Sequence, residues 1–393
     1  MSVPALRFND DDGKEFPEWE ESTIGERVTE KSAKFNPEKS SDTFKCIELE
    51  HLSQNTGELL GYTDTSLSKS IKNKFVTGDV LFGKLRPYLK KFLKAPFAGV
   101  CSTEIWVLKG KNISNDYLFQ FVQTEYFITQ TNISSGSKMP RADWNVVSSA
   151  PSYFPIFAEQ TKIANFLTAV DQKISLLTQK ATLLSQYKKG VMQQIFSQEL
   201  RFKDDDGQEF PEWEEKRIGD VFNFKQGIQC AVEHQFLEKN ELMVRFIRII
   251  DLTNKNEPER YIYSPNDEHI IQSDDIFMVR YGTPGLVGYG YEGVIANNLF
   301  RIMALDKSVV SSKFYYFVFL FKNKDIESLS NSSTMPAINF NSLKVLIIPT
   351  PCKTEQNKIA NFLTAIDEKI TTNQTQLNAV KQYKQGLLQQ MFV

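Results

Sequence analysis

This chain is written twice. Residues 6–21, LRFNDDDGKEFPEWEE, return as residues 200–215, LRFKDDDGQEFPEWEE, at an offset of 194. Residues 159–171, EQTKIANFLTAVD, return as 355–367 at an offset of 196. The stretches between these blocks hardly match. The order is therefore lead, variable region, helical segment, then the same again. Such a long period excludes a solenoid, whose repeats run about 20–50 residues. Each copy is long enough to bury its own core, so the 393 residues read as two units of nearly equal size. Two copies of one scaffold with two different faces suit a target that is itself in two different halves.

The apolar and charged fractions are those of a soluble globular protein. The longest apolar run, Phe314 to Phe321, lies between Lys313 and Lys322 and is far short of the roughly 20 residues of a membrane span. Met1 to Lys14 has no apolar core of the kind a signal peptide needs. Cys46, Cys101, Cys230 and Cys352 are scattered with no CxxC pair, which indicates neither a zinc site nor a disulfide framework. The expected setting is cytoplasmic, with no membrane partner.

Net charge is close to neutral, but it is segregated along the chain. Ser66 to Lys94 holds eight basic residues and one acid, Asp79, whereas Asp10 to Glu21 holds seven acids and one lysine. A basic run marks either a nucleic-acid footprint or a solvated face, and the sequence leaves both open.

Glu159 to Phe196 reads as one long helix. Apolar residues fall at Ile163, Leu167, Val170, Ile174, Leu177, Ala181, Leu184, Val191 and Ile195, alternating steps of four and three with a gap at Lys188. The copy repeats the pattern at Ile359, Leu363, Ile366, Ile370, Leu377, Val380, Leu387 and Met391, with Asn373 and Lys384 on the same seam. A helix of about 37 residues would be about 55 Å long. With one narrow apolar stripe it needs a partner helix, and the duplicate supplies one. A two-fold-like relation would make the pair antiparallel. Pro151, Pro155, Pro349 and Pro351 mark the helix starts.

The variable regions read as mixed α and β. Phe75 to Lys91 reads as a turn, a strand and a cation-rich loop, and Ile271 to Gly285 has the same order. Tyr117 to Phe127 and Phe314 to Phe321 read as buried helices. A small-residue loop then precedes Met139-Pro140 and Met335-Pro336. Lysine and arginine neutralise phosphates, arginine can pair with guanine, and loop hydroxyls can hold phosphates. The candidate DNA contacts are Lys69, Lys72, Lys74, Lys84, Arg86, Tyr88, Lys90, Lys91, Ser137, Lys138 and Arg141 in the first unit. In the second they are Lys225, Arg245, Arg248, Arg280, Tyr281, Ser333 and Thr334.

Catalytic motifs are missing: there is no GxxxxGK[ST], HExxH or GxSxG. The three histidines have no ligand-like spacing. Gly288 to Gly293 fits GxGxxG, but the following Val294 to Phe300 reads as strand or turn, not the helix a dinucleotide site needs. It reads instead as a glycine-rich hairpin.

With duplication, paired variable regions and paired seam helices, the chain resembles the specificity (S) subunits of type I restriction-modification systems. The likeness rests on Glu159-Gln160 and Glu355-Gln356 after a proline-rich lead-in, on Gly78 to Leu89, on Ser102-Thr103-Glu104, and on the two loops before Met-Pro. It implies an α+β chain with internal pseudo-two-fold symmetry: two mixed α/β target-recognition domains joined by two long helices in an antiparallel coiled coil. The expected boundaries are 1–156, 157–198, 199–353 and 354–393. Each domain would read one half of a bipartite, asymmetric DNA target, with the helices as a ruler for the gap. Two modification (methyltransferase) subunits would dock on the chain and restriction subunits would join them. The resemblance puts S-adenosylmethionine, ATP and Mg on those partners and no cofactor or metal on this chain, which would not itself be an enzyme. A methyltransferase or nuclease in its own right lacks its motifs here. A coiled-coil protein scaffold would explain the helices but not the two divergent domains.

Overall fold

A computed structural model describes residues 4–67, 69–133, 139–254, 256–330 and 336–393. The chain forms two compact units, Met1–Gln179 with Gln374–Val393, and Lys180–Asn373. Both long helices, Phe157–Phe196 and Lys353–Met391, are shared out between the units.

In the first unit the lead strand Glu20–Thr23 pairs antiparallel with Pro151–Phe154, the strand that runs into the first long helix. The beginning and end of the variable region are thus stitched side by side. Between them lie two sheets. One has the order Val28–Thr29, Ile105–Gly110, Val80–Gly83, Phe92–Lys94, antiparallel throughout. The other has the order Lys34–Phe35, Lys72–Phe75, Gly99–Ser102, Lys45–Ile47, Thr63–Asp64, with Lys45–Ile47 and Gly99–Ser102 parallel.

Strand Val80–Gly83 is apolar on both faces because both are covered. Val80 and Phe82 pack with Tyr117, Phe121 and Phe127 of the helices. Leu81 points the other way and packs with Ile47, Phe75 and Cys101 of the second sheet. Helices Asn115–Phe121 and Glu125–Asn132 start where Ser114 and Thr124 accept hydrogen bonds from Tyr117 N–H and Phe127 N–H.

The second unit repeats this topology. Glu214–Arg217 pairs with Ile347–Thr350. One sheet has the order Phe222–Gln226, Leu299–Ala304, Ile276–Val279, Val287–Gly288. The other runs Arg260–Tyr263, Met243–Ile247, Gly293–Ile295, Ile270–Ile271, and again its central pair, Met243–Ile247 with Gly293–Ile295, is parallel. Among the described residues the difference is one edge strand, Lys34–Phe35. The variable sequences share little, yet their strands connect alike. Ser312–Phe321 is the expected buried helix. The GxGxxG run is not a hairpin: Val287–Gly288 and Gly293–Ile295 belong to different sheets, and strand Leu299–Ala304 follows.

The repeated blocks form a clamp. Glu159 is fully buried and accepts two hydrogen bonds from Arg7, at 2.9 and 2.8 Å, and one from the Trp19 indole at 3.1 Å. Arg7 also donates to the carbonyls of Phe16 and Pro17. In the second unit Arg201 and Trp213 hold Glu355 in the same way, at 3.5, 3.2 and 2.9 Å. Gln160 accepts from Ser114 N–H and donates to the Pro155 carbonyl, while Gln356 accepts from Ser311 N–H and donates to that of Pro351. Glutamate therefore ties each helix to its lead, and glutamine ties it to its variable region. Trp19 is buried within this clamp.

Within the first unit, the start of one long helix packs against the end of the other. Lys384 meets Asp171, and Phe392 reaches Tyr117, near Gln160, so the two segments run in opposite directions. Of the seam residues, Ile163, Leu167, Val170, Leu177, Ile359, Leu363, Ile366 and Leu377 are buried. Ile174, Leu184, Ile370 and Val380 are half-buried. Asn373 is buried as well.

Candidate nucleic-acid interface

The basic run of the first unit is not a free cationic face. Lys72 is 4% exposed and lies 2.5 Å from Glu48, which withdraws it from any phosphate. Lys90 and Lys94 pair with Glu125 and Asp116. Lys91 donates to the Leu49 carbonyl, and Lys74 lies over the rings of Phe35 and Phe44 at 5.6 and 5.1 Å. Acids and rings distant in sequence thus neutralise or cover much of the run. Lys69, Lys84 and Arg86 have no acidic partner among the described residues. Tyr88 is 53% exposed beside them. Arg141 is exposed and 3.1 Å from Glu104.

Lys84 and Arg86 stand where strand Val80–Gly83 ends. Lys84 N–H donates to the Glu104 carbonyl at 2.9 Å, and its carbonyl accepts from Ala142 N–H at 2.8 Å. Leu85 and Arg141 form a β-bridge. Arg86 holds a left-handed backbone, φ 52°, with its N–H on the Pro140 carbonyl. A non-glycine residue there is uncommon, and it makes this loop a defined shape.

The second unit builds the same junction. Arg280 N–H donates to the Asn298 carbonyl and its own carbonyl accepts from Ile338 N–H, both at 2.9 Å. Tyr281 bridges Ala337. Lys84 therefore corresponds to Arg280, Leu85 to Tyr281, and Arg86 to Gly282, which is also left-handed at φ 102°. Arg280 lies 4.5 Å over Phe340 and donates to Gln226 Oε1 at 2.9 Å. Sequence reading missed Gln226 and Phe340; both are brought in from distant segments, and no local signal marks them.

The remaining candidates of the second unit are mostly occupied. Lys225 pairs with Glu268 at 3.1 Å. Arg245 pairs with Glu259 at 3.0 Å and lies over Tyr291. Arg248 is spent on Asp251, Glu257 and the Pro258 carbonyl. Tyr281 is half-buried. Ser137, Lys138, Ser333 and Thr334 lie outside the described residues. Among the described residues there is no group of acids, histidines and cysteines placed to hold a metal, and no helix long and apolar enough to cross a membrane.

Two α+β units that share their topology except for one edge strand, and that present loops of different chemistry from the same strand ends, make a duplicated scaffold with two different faces. The chain belongs to the type I restriction modification DNA specificity domain family, whose model matches residues 17–186 and again 211–382. It is similar to the type I restriction enzyme MjaVIII specificity subunit of Methanocaldococcus jannaschii, 23% identical over 50% of this chain and 46% of that one. It is also similar to the EcoDI specificity subunit of Escherichia coli, 32% identical over 29% of this chain and 26% of that one. The chain thus spans about half or less of the length of these curated relatives. Its fold is similar to the crystal structure of the type I restriction-modification S subunit from M. genitalium, with TM-score 0.64 and 15% identity over 100% of this chain and 99% of that one. A chain from a structural study of complex assembly and conformational transition of the type I R-M system gives TM-score 0.55 and 18% identity over 94% and 96%.

Proposed function

We propose that this chain is the non-catalytic specificity subunit of a type I restriction-modification complex, at work in the cytoplasm. Each unit reads one half of a bipartite, asymmetric double-stranded DNA target. The observation that carries this is the shared junction at Lys84 and Arg280, where one backbone arrangement presents different side chains in the two units. The long helices set the gap between the half-sites. Two methyltransferase subunits and the restriction subunits supply the S-adenosylmethionine, ATP and Mg chemistry.

The modification subunits dock on surfaces the units have in common. Tyr187 and Tyr383 are equivalent and are 52% and 55% exposed. One turn on, Gly190 and Gly386 sit in helix interiors, and a methyl group added at either would meet no atom within 4 Å. A helical glycine costs about 1 kcal/mol relative to alanine, and no packing inside the chain requires it here. Glycine at the equivalent place of both helices, with nothing inside the chain to require it, supports this docking.

Methylome sequencing of cells carrying the chain with and without its modification subunit tests the proposal. A split, asymmetric adenine-methylated motif that needs both proteins is the expected result. Its absence with a complex that assembles would reject the reading.

A further inference from the structure

Two half-sites of one DNA differ in their bases but not in their phosphates. Contacts to the backbone position a protein, while contacts to base edges specify the sequence. A residue that holds the same charge on the same backbone in both units addresses what the half-sites share. Positions where the units differ address what distinguishes them.

Lys84 and Arg280 satisfy the first condition. Both follow the central strand of the antiparallel sheet, and both are pinned by hydrogen bonds through N–H and carbonyl. Lys84 has no ion-pair partner among the described residues. Arg280 lies 4.5 Å over the Phe340 ring with one bond to Gln226 Oε1. A guanidinium has five N–H donors, and two of these meet Gln226 and the Ile338 carbonyl. The rest stay available in a fixed orientation. The neighbouring positions satisfy the second condition. Arg86 is exposed where the other unit has Gly282, Arg141 stands where it has Ala337, and Tyr281 stands where the first unit has Leu85.

We infer that Lys84 and Arg280 are equivalent phosphate anchors of the two half-sites, and that Arg86 and Arg141 in one unit and Tyr281 in the other select bases. This division of labour rests on the DNA-specificity reading and assigns roles within it.

The test uses the complex co-purified with its modification subunits and two duplexes, one carrying the methylated motif and one unrelated. Lys84→Ala and Arg280→Ala are expected to weaken binding to both duplexes by the same factor. Each should make the log–log salt slope shallower by about 1. The methylated motif should not change. Arg280→Gln, which removes the charge but keeps a planar polar group against Phe340, serves if the alanine variant is unstable. Arg86→Ala, Arg141→Ala and Tyr281→Phe should each relax a position in one half of the motif. A motif altered by Lys84→Ala or Arg280→Gln, or an unchanged salt slope, would overturn the assignment while leaving the specificity role intact. A wild-type complex with no preference between the duplexes would overturn both.

Discussion

The Asp171 carboxylate lies 2.5 Å from the Lys384 ammonium, and its counterpart in the other unit, Lys188 with Asp367, closes at 2.6 Å. The two acids are equivalent positions of the repeat, and so are the two lysines. Each bridge therefore takes its acid from one copy and its base from the other. This accounts for the gap in the apolar seam at Lys188 and Lys384. The surroundings differ. In the first unit Gln120 donates to Asp171 and Lys384 donates to Gln123, whereas Lys188 lies 5.2 Å over the Phe317 ring.

Replacing Lys384 with methionine strands a carboxylate that keeps 29% exposure, so the cost should be roughly 1–3 kcal/mol, below the 3–5 kcal/mol of a fully buried pair. The double variant Asp171→Leu/Lys384→Met should recover most of that loss in urea denaturation. Burial pushes Lys384 below the ordinary lysine value, with Asp171 opposing it. The folded unit then binds fewer protons than the unfolded chain just below that ordinary value. Wild-type stability should rise relative to Lys384→Met as pH climbs through this window, and be least below it. A flat difference would contradict the burial of this ammonium.

Glu159→Ala should destabilise the first unit by about 3–5 kcal/mol, because the Arg7 guanidinium and the Trp19 indole N–H both lose their buried acceptor. Glu355→Ala should act on the second unit in the same way. A loss under 1 kcal/mol at both sites, read from chemical denaturation, would mean the leads are not fastened by these carboxylates.

Gly190→Ala and Gly386→Ala should each stabilise the isolated chain by about 1 kcal/mol, since the added methyl meets no atom of the chain. The same variants should weaken assembly with the modification subunits, measured by co-purification. Stabilisation with undiminished assembly would remove these helix faces from the docking surface.

Thiol labelling at pH 8 should reach Cys230 and Cys352 in the folded protein and spare Cys46 and Cys101, which are buried. Burial pushes the Cys46 thiol up to about 12 and Cys101 upward too. Rapid labelling of Cys101 without denaturant would show the second sheet of the first unit to be loosely packed.

Much of this architecture is legible in the sequence because its signals are local and doubled. The seam periodicity foretells both long helices, whereas the small-residue loops at 134–138 and 331–335 lie outside the described residues. The interface was harder to read. A lysine run looks alike whether its charges are free or matched, and Lys72, Lys90 and Lys94 find Glu48, Glu125 and Asp116 only through the fold. Arg280 gives no hint in sequence that Phe340 and Gln226 will seat it. The shared connectivity of the two variable regions, one edge strand apart, is equally hidden, because it does not reside in matching side chains.

The clamp at Glu159 and Glu355 has a consequence beyond stability. Each reader is bracketed by a lead and a helix start whose mutual contacts are the same in both units, and the lead strand closes against the strand entering the helix. A reader is thus a cassette with standard fittings at both ends. Near-identical residues stand at those fittings in both copies, so any variable region placed between them arrives with its attachments already matched. Under the proposed function, a different variable region held by the same fittings would change the target without rebuilding the molecule that carries it.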